Sequence, residues 1–469
     1  MQHPSHGSKR VLTVFVLAML NVSIMASLRN LPLVAEFGLS ALFFFFVVAL
    51  FFLIPCALIS AELATGWPKS GGIYVWVREA LGDRWGFMAI WMQWVHNVAW
   101  YPVIMSFVAV TAAYLFSAEL ASNRLFVLAV ILIGFWGMTL LNYLGIKTSS
   151  RFSTIGVILG TILPGLFIIS LGISWVSGDR PIQTPLGWDA LIPSFKEIGN
   201  LVFLAGLFLA FGGLEVTASF ASNVQNPKKN YPRAIILGAV ITFILFMLGS
   251  LSIAVVIPKE EISIVEGLME AFRQFLTHYQ LLWMLPIMAI LMIIGAIAEV
   301  NSWIIGPVRG LFATASHGNL PPFFQKRNKR DVPTRLLLFQ AILVSIVSLI
   351  FLYMPRVSSG FWFLTALSAQ SYLVMYILMF IAAIKLRYLK PDVPRPYHIP
   401  FKNVGIWICG CMGILASVFA MALCFVPPSS LRVGNPFVYA LLLTGGLFMM
   451  CIIPLGIHTF RKPHWILRK

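Results

Sequence analysis

Apolar positions in this chain do not alternate with polar ones; they run. Stretches of about 20 apolar residues recur from one end to the other, and each is long enough to cross a bilayer at helical rise. The pattern predicts twelve membrane helices, at 11–38, 40–64, 86–117, 125–144, 153–177, 197–222, 234–257, 281–313, 335–354, 358–386, 404–426 and 435–458. The polar segments between them are short, so the expectation is one all-α membrane domain over residues 1–469.

Two of these spans are interrupted. The first carries Asn21, Ser23, Ser27, Arg29, Asn30 and Pro32 in its second half. The sixth carries FGGLEVTAS, Phe211 to Ser219, with paired glycines and a glutamate. Glycine loses the most freedom on being held helical, so a Gly pair is a weak point. In lipid a broken helix strands N–H and C=O groups, which is tolerated only where the break faces protein or a watery cavity. Breaks at matching positions of two halves point to an inverted-repeat transporter. Unwinding near Met25, Ala26, Ser27 and Leu28 would expose N–H groups suited to a carboxylate. Unwinding near Phe211, Gly212 and Gly213 would expose carbonyls suited to an ammonium. Together they suit an amino acid.

Composition agrees with a membrane protein: 59% of residues are hydrophobic and 10% charged, against about 25% charged in soluble domains. The net charge of +17 invites a nucleic-acid reading, but its distribution opposes one. With the N-terminus inside, inner loops and tails hold 24 of the 33 Lys and Arg, outer loops hold seven, and Arg29 and Arg309 remain in the membrane. That is the positive-inside bias, and it puts both termini in the cytoplasm. The start, SKR followed by VLTVFVLAML and SIMAS, also resembles a secretory leader. Its removal would take away one of twelve spans and break the charge alternation. Cys56, Cys409, Cys411, Cys424 and Cys451 all fall in predicted spans, without disulfide or metal spacing.

Several segments carry a resemblance. IMAS in the first span, AELATGWPKSGGIYVW (Ala61 to Trp76), AFGGLE (Ala210 to Glu215) and AEVNSWIIGPVRGL (Ala298 to Leu311) are similar to the amino acid–polyamine–organocation superfamily, and within it to bacterial glutamate/GABA-type antiporters. The resemblance covers roughly residues 9–458. It implies a LeuT-like 5+5 inverted repeat with helices 1 and 6 broken: five helices over 11–177, five inverted over 197–386, and two more over 404–458. It implies exchange of an amino acid for a related amino acid or amine across the bacterial inner membrane. By the resemblance, Glu215 would serve gating or substrate handling, Trp303 would border the site, and Tyr372 and Tyr376 would form a pair, their i, i+4 spacing placing both on one helix face. Ala26 and Leu28 stand where many relatives have glycine, and Arg29 stands where the nearest have an aromatic. The glutamate/GABA antiporter has a longer C-terminal segment that plugs its inner vestibule, so pH gating by a plug is not expected here.

Arg29 has three readings: a pocket group for an acidic part of the substrate, a partner to Glu36, Glu215 or Glu299, or a group in an outer, wetted vestibule. A charge at the bilayer centre is costly, about 2.5 to 3.5 kcal/mol on translocon scales. Glu299, one turn before Trp303, reads as a proton site or a structural carboxylate. Arg309 reads as snorkelling or capping an inner gate, and Glu62 as an inner-gate or capping group. Trp91, Trp94 and Trp100 read as core, and Tyr74 and Trp76 as an interfacial helix. Ser302 lacks an adjacent hydroxyl partner for sodium, and the fifth span lacks a lysine, which favours exchange. The alternatives are proton-coupled amino-acid or polyamine uptake, or an amino-acid sensor or scaffold that moves nothing. No nucleophile or metal motif suggests an enzyme. No cofactor or metal is expected, the partners expected are the small substrate and the bilayer, and the oligomer is a monomer or homodimer.

Overall fold

Lipid offers the backbone no partners, so long apolar runs close their hydrogen bonds internally as helices. The structure, a computed structural model, describes residues 12–69, 71–178, 180–185, 187–193, 201–218, 224–428 and 435–466. Among them the fold is all-helical, and eleven helices are long and apolar enough to cross a membrane. They match eleven of the expected spans. The remaining one, 197–222, is described only as α10 and the break after it; residues 197–200 and 219–222, Ser219 included, lie outside the described residues.

The first span starts at α1 (Val14–Met25), capped by Thr13, whose hydroxyl accepts from the Val16 N–H at 3.3 Å. It stops at Ala26 and resumes as α2 (Leu31–Ala35), with Pro32 in the first turn, where a missing N–H costs nothing. The second span is α3 (Ala41–Val48) and α4 (Ile54–Gly66), joined by a π-helical turn at Ala49–Leu53. After it come α5 (Ile73–Leu81), α6 (Asp83–Ala113), α7 (Arg124–Asn142), α8 (Ile146–Val157) and α9 (Leu163–Ser177), the last two joined by a second π turn at Ile158–Ile162. Both π turns run straight into a proline, Pro55 and Pro164. Proline cannot donate to the preceding turn and crowds its carbonyl, and a wider turn relieves both.

The second half comprises α10 (Phe203–Ala210), α11 (Pro227–Val256), α12 (Gly267–His278), α13 (Leu285–Ser316), α14 (Thr334–Ser348), α15 (Ile350–Tyr353), α16 (Val357–Leu389), α17 (Lys402–Cys424) and α18 (Pro436–Thr459). At the centre stands α6, its apolar stretch 89% buried, whereas that of α18 is 11% buried and faces outward. Around α6 pack α5, α7, α13, α14, α16 and α18, and α1 packs on α8, α11 and α13. Where the turn after α8 crosses α13, a Cβ on Gly160 would lie 2.1 Å from the Gly295 nitrogen. Only paired glycines let the two backbones approach so closely.

Tyr74 and Trp76 do lie on a short helix, α5, but both are fully buried against α6 and α16, so they serve packing rather than an interface belt. At the same end of the bundle Glu62 accepts from Arg387 at 2.6 Å and from the Ile399 N–H at 2.9 Å, with Arg395 3.5 Å away. Arg395 also bonds the carbonyls of Leu386 (2.8 Å) and Lys390 (2.9 Å). A buried carboxylate thereby ties α4 to the end of α16 and to the segment after it, as a gate or cap would.

Candidate functional site

The two interrupted helices meet at the centre of the bundle. After α1, Ala26 leaves the helical region and Ser27 is extended (φ −89°, ψ 109°). The amides of Leu28 and Arg29 find no hydrogen-bond acceptor among the described residues. After α10, Gly213 takes φ +117°, and the carbonyls of Ala210, Phe211 and Gly212 accept no backbone hydrogen bond among the described residues. Both kinds of stranded group expected from the sequence are therefore present: N–H groups at one break and C=O groups at the other.

Three neighbouring helices hold the breaks open. From α13, the Trp303 indole N–H donates to the Ile24 carbonyl at 2.9 Å. From α16, the Tyr376 hydroxyl accepts the Gly213 N–H at 2.8 Å and donates to Glu215 at 2.6 Å. Tyr372 donates to the other side of the same carboxylate, and Gln93 of α6 donates to it at 2.8 Å. Glu215 is thus fully buried yet surrounded by donors, as a carboxylate in a low-dielectric interior must be. The glycines allow this packing. A Cβ on Gly212 would lie 2.6 Å from the Tyr372 ring, and one on Gly213 would lie 2.5 Å from Ile24. Gly213→Ala meets both that clash and a backbone region closed to L side chains. It should cost about 2 kcal/mol, read as a lower unfolding midpoint of the purified protein; an unchanged midpoint would show that the break re-forms around a side chain.

Between the breaks lies a small cavity of about 10 Å³, lined among others by Met25, Arg29, His96, Trp100, Glu299, Trp303 and Tyr372. That is room for about one water. Of the residues expected from the sequence, Met25, Arg29, Glu299, Trp303 and Tyr372 line it, and Glu215 and Tyr376 stand directly behind Tyr372. Ala26, Ser27, Leu28, Gly212 and Gly213 shape the breaks without lining the cavity. Phe211 turns away into a cluster with Phe45, Phe243 and Phe246, at ring-centroid separations of 6.0, 6.2 and 5.9 Å.

Arg29 is 2% exposed. Its Nε and Nη1 have no hydrogen-bond partner, and no ion pair reaches it among the described residues. Its guanidinium lies 5.5 Å from the Trp100 ring centroid and 5.6 Å from that of Phe361. Glu299 is the carboxylate whose charge acts on it, and Ser27 lies beside Glu299. Glu36, another candidate partner, instead lines a separate cavity of about 500 Å³ with Lys259 and Glu260.

Two residues of α6 contribute that the sequence reading passed over, and a third that it read as core. Gln93 holds Glu215. The His96 ring stacks on Tyr372, centroids 4.2 Å apart, and its Nδ1 lies 2.8 Å from the Ser368 hydroxyl. Trp100, read as core, covers Arg29. Their signal was present: Gln93, His96, Asn97 and Trp100 fall at i, i+3, i+4 and i+7, a polar and aromatic stripe along one face of an otherwise apolar helix. Near the sodium position weighed from sequence, Ser23 and Ser302 hydroxyls lie 2.9 Å apart, and Ser302 also donates to the Ala298 carbonyl at 3.0 Å. These groups satisfy one another. Among the described residues no group of His, Cys, Asp and Glu could hold a metal.

Comparison with known proteins places the chain. The family model for amino acid permeases matches residues 11–448. An uncharacterized transporter of Legionella pneumophila is 42% identical over 97% of this chain and 98% of its own length. A glutamate/gamma-aminobutyrate antiporter of Lactococcus lactis is 32% identical over 95% of this chain and 90% of its own. A probable agmatine/putrescine antiporter of the same species is 28% identical over 87% of this chain and 84% of its own.

Proposed function

The chain belongs to the amino acid permease family, a multi-pass membrane transporter and not an enzyme, and from that premise we propose that it exchanges an amino acid bearing an acidic group for a related amino acid or amine by alternating access. The reading includes twelve spans in two inverted five-helix repeats, 11–177 and 197–386, with two further helices over 404–458. It also places the protein in the bacterial inner membrane with both termini cytoplasmic, as monomer or homodimer.

One observation carries it. A buried arginine with two unpaired nitrogens lines one small cavity, and the stranded amides and carbonyls of the two breaks flank it. The ammonium of a substrate would take the carbonyls after α10, and its α-carboxylate the amides of Leu28 and Arg29. A second acidic group would take the free Arg29 nitrogens, a geometry suited to a bidentate contact. A cavity of about 10 Å³ admits no amino acid, so the breaks must part to load it. The antiporter names of two relatives favour exchange.

The test is counterflow in proteoliposomes without sodium and with equal pH on both sides. Uptake of labelled glutamate is expected only into vesicles preloaded with an amino acid or amine. Uptake into empty vesicles, rising with an inward proton gradient, would replace exchange by proton-coupled uptake and make Glu215 and Glu299 the proton sites to test. Specific binding with no movement in either format would leave a sensor.

A further inference from the structure

Away from this site, a further and wholly apolar space opens at the end of the bundle near Asp83. Helices α14 and α18 both pack on α6, and no comparable packing joins one to the other. The gap between them forms a groove of about 340 Å³, the lower end of the range for pockets that enclose a ligand, about 300–1,000 Å³. Its floor is Trp91 and Trp94 of α6, its walls include Leu336 and Phe339, and Phe460 and Trp465 also line it. The two floor indoles spend their N–H groups elsewhere, on the Met450 carbonyl at 3.1 Å and on Gln340 at 2.8 Å. Only ring faces therefore reach the groove, and a polar ligand would find nothing to bond.

The chain beside Leu336 and Phe460 is basic. Arg335, next to Leu336, lies 4.4 Å over the Phe323 ring and donates to the Phe323 carbonyl at 3.1 Å. Lys326 and Lys462 are exposed nearby. The carboxylates at this end are already engaged: Asp83 accepts from Arg461 at 2.6 Å, and Asp331 from Arg327 at 2.5 Å. An apolar slot beside an outward-facing helix, with surplus positive charge at the membrane surface, matches one kind of molecule. We propose that this groove holds an acyl chain of an anionic phospholipid, with the phosphate against Arg335 and Lys462. The occupied groove would also brace α6 where Gln93, between the two floor tryptophans in sequence, holds Glu215. Lipid in the membrane would thereby bear on the broken helix.

Native mass spectrometry and thermal unfolding of the full chain in detergent test this, with phosphatidylglycerol and phosphatidylcholine of identical acyl chains as probes. Phosphatidylglycerol is expected to stay bound and to raise the unfolding midpoint, and phosphatidylcholine to do neither. Leu336→Trp, which fills the groove, should abolish both effects. Should that variant not fold, the double variant Arg335→Gln, Lys462→Gln leaves the groove intact; each basic residue near an anionic headgroup is worth about fivefold, so retention should fall about twenty-five-fold. Equal retention of the two lipids would overturn the proposal, as would phosphatidylglycerol retention unchanged in either variant. A lipid-free dimer with the groove buried between copies would overturn it as well.

Discussion

Glu215→Gln is expected to lower exchange in proteoliposomes about 100-fold while the unfolding midpoint moves by only a few degrees. The carboxylate is the joint between three elements: it takes a proton donor from Tyr372 and from Tyr376 on α16, and from Gln93 on α6. Tyr376 in turn holds the Gly213 amide at the break. Hydrogen bonds to a charged group contribute about 1.5–3 kcal/mol each. An amide keeps one acceptor oxygen but presents an NH₂ where a tyrosine hydroxyl now donates, so about 3 kcal/mol is lost from the closed arrangement. If the joint forms anew in every cycle, that loss enters the transport rate, at about tenfold per 1.4 kcal/mol. The fold is less sensitive, because the helices stay packed by apolar contacts and the tyrosines can turn to accept from the amide. Tyr372→Phe removes a single donor and should cost about tenfold. Normal exchange by the glutamine variant would remove Glu215 from the mechanism; loss of folded protein would make it a structural group.

The membrane spans were legible because lipid leaves a run of apolar residues one conformation to adopt, and the breaks because Gly212–Gly213 and the Ser27–Pro32 stretch are poor helix. The π turns ahead of Pro55 and Pro164 were not foreseen. Proline announces a defect, but whether the chain kinks, breaks or widens depends on what packs beside it, and Gly160 against Gly295 decides that only in three dimensions. The site was half legible. Residues at the breaks carry unusual local chemistry, whereas Gln93, His96 and Trp100 belong to an unbroken helix whose apolar surroundings outweighed a stripe of polar positions. For Arg29 the sequence left three readings, since a side chain's partners come from other helices. In this conformation Arg29 is buried, which speaks against the wetted vestibule, and no ion pair reaches it among the described residues, which speaks against a direct pair.

Arg29→Ala should weaken an acidic substrate about 100-fold in competition against labelled counterflow, and a neutral amino acid less than about fivefold. The wild-type guanidinium is buried between Trp100 and Phe361 with Nε and Nη1 unbonded. A charge left so in the interior costs several kcal/mol unless something repays it, and the nearby Glu299 repays part through its field without touching it. A carboxylate entering the cavity would meet two donors already aimed and already dehydrated, a bidentate contact of about 3 kcal/mol, or about 100-fold. Lysine retains the charge but not the planar fork, so Arg29→Lys should recover only part of the loss. The variant pair separates specificity from structure. Were Arg29 merely the counter-charge of Glu299, alanine would lower transport of acidic and neutral substrates alike, lysine would restore both, and Arg29→Ala with Glu299→Gln would recover what the single change lost. Unchanged selectivity in Arg29→Ala, with transport otherwise intact, would sink the pocket assignment and with it the inference that the substrate carries a second acidic group.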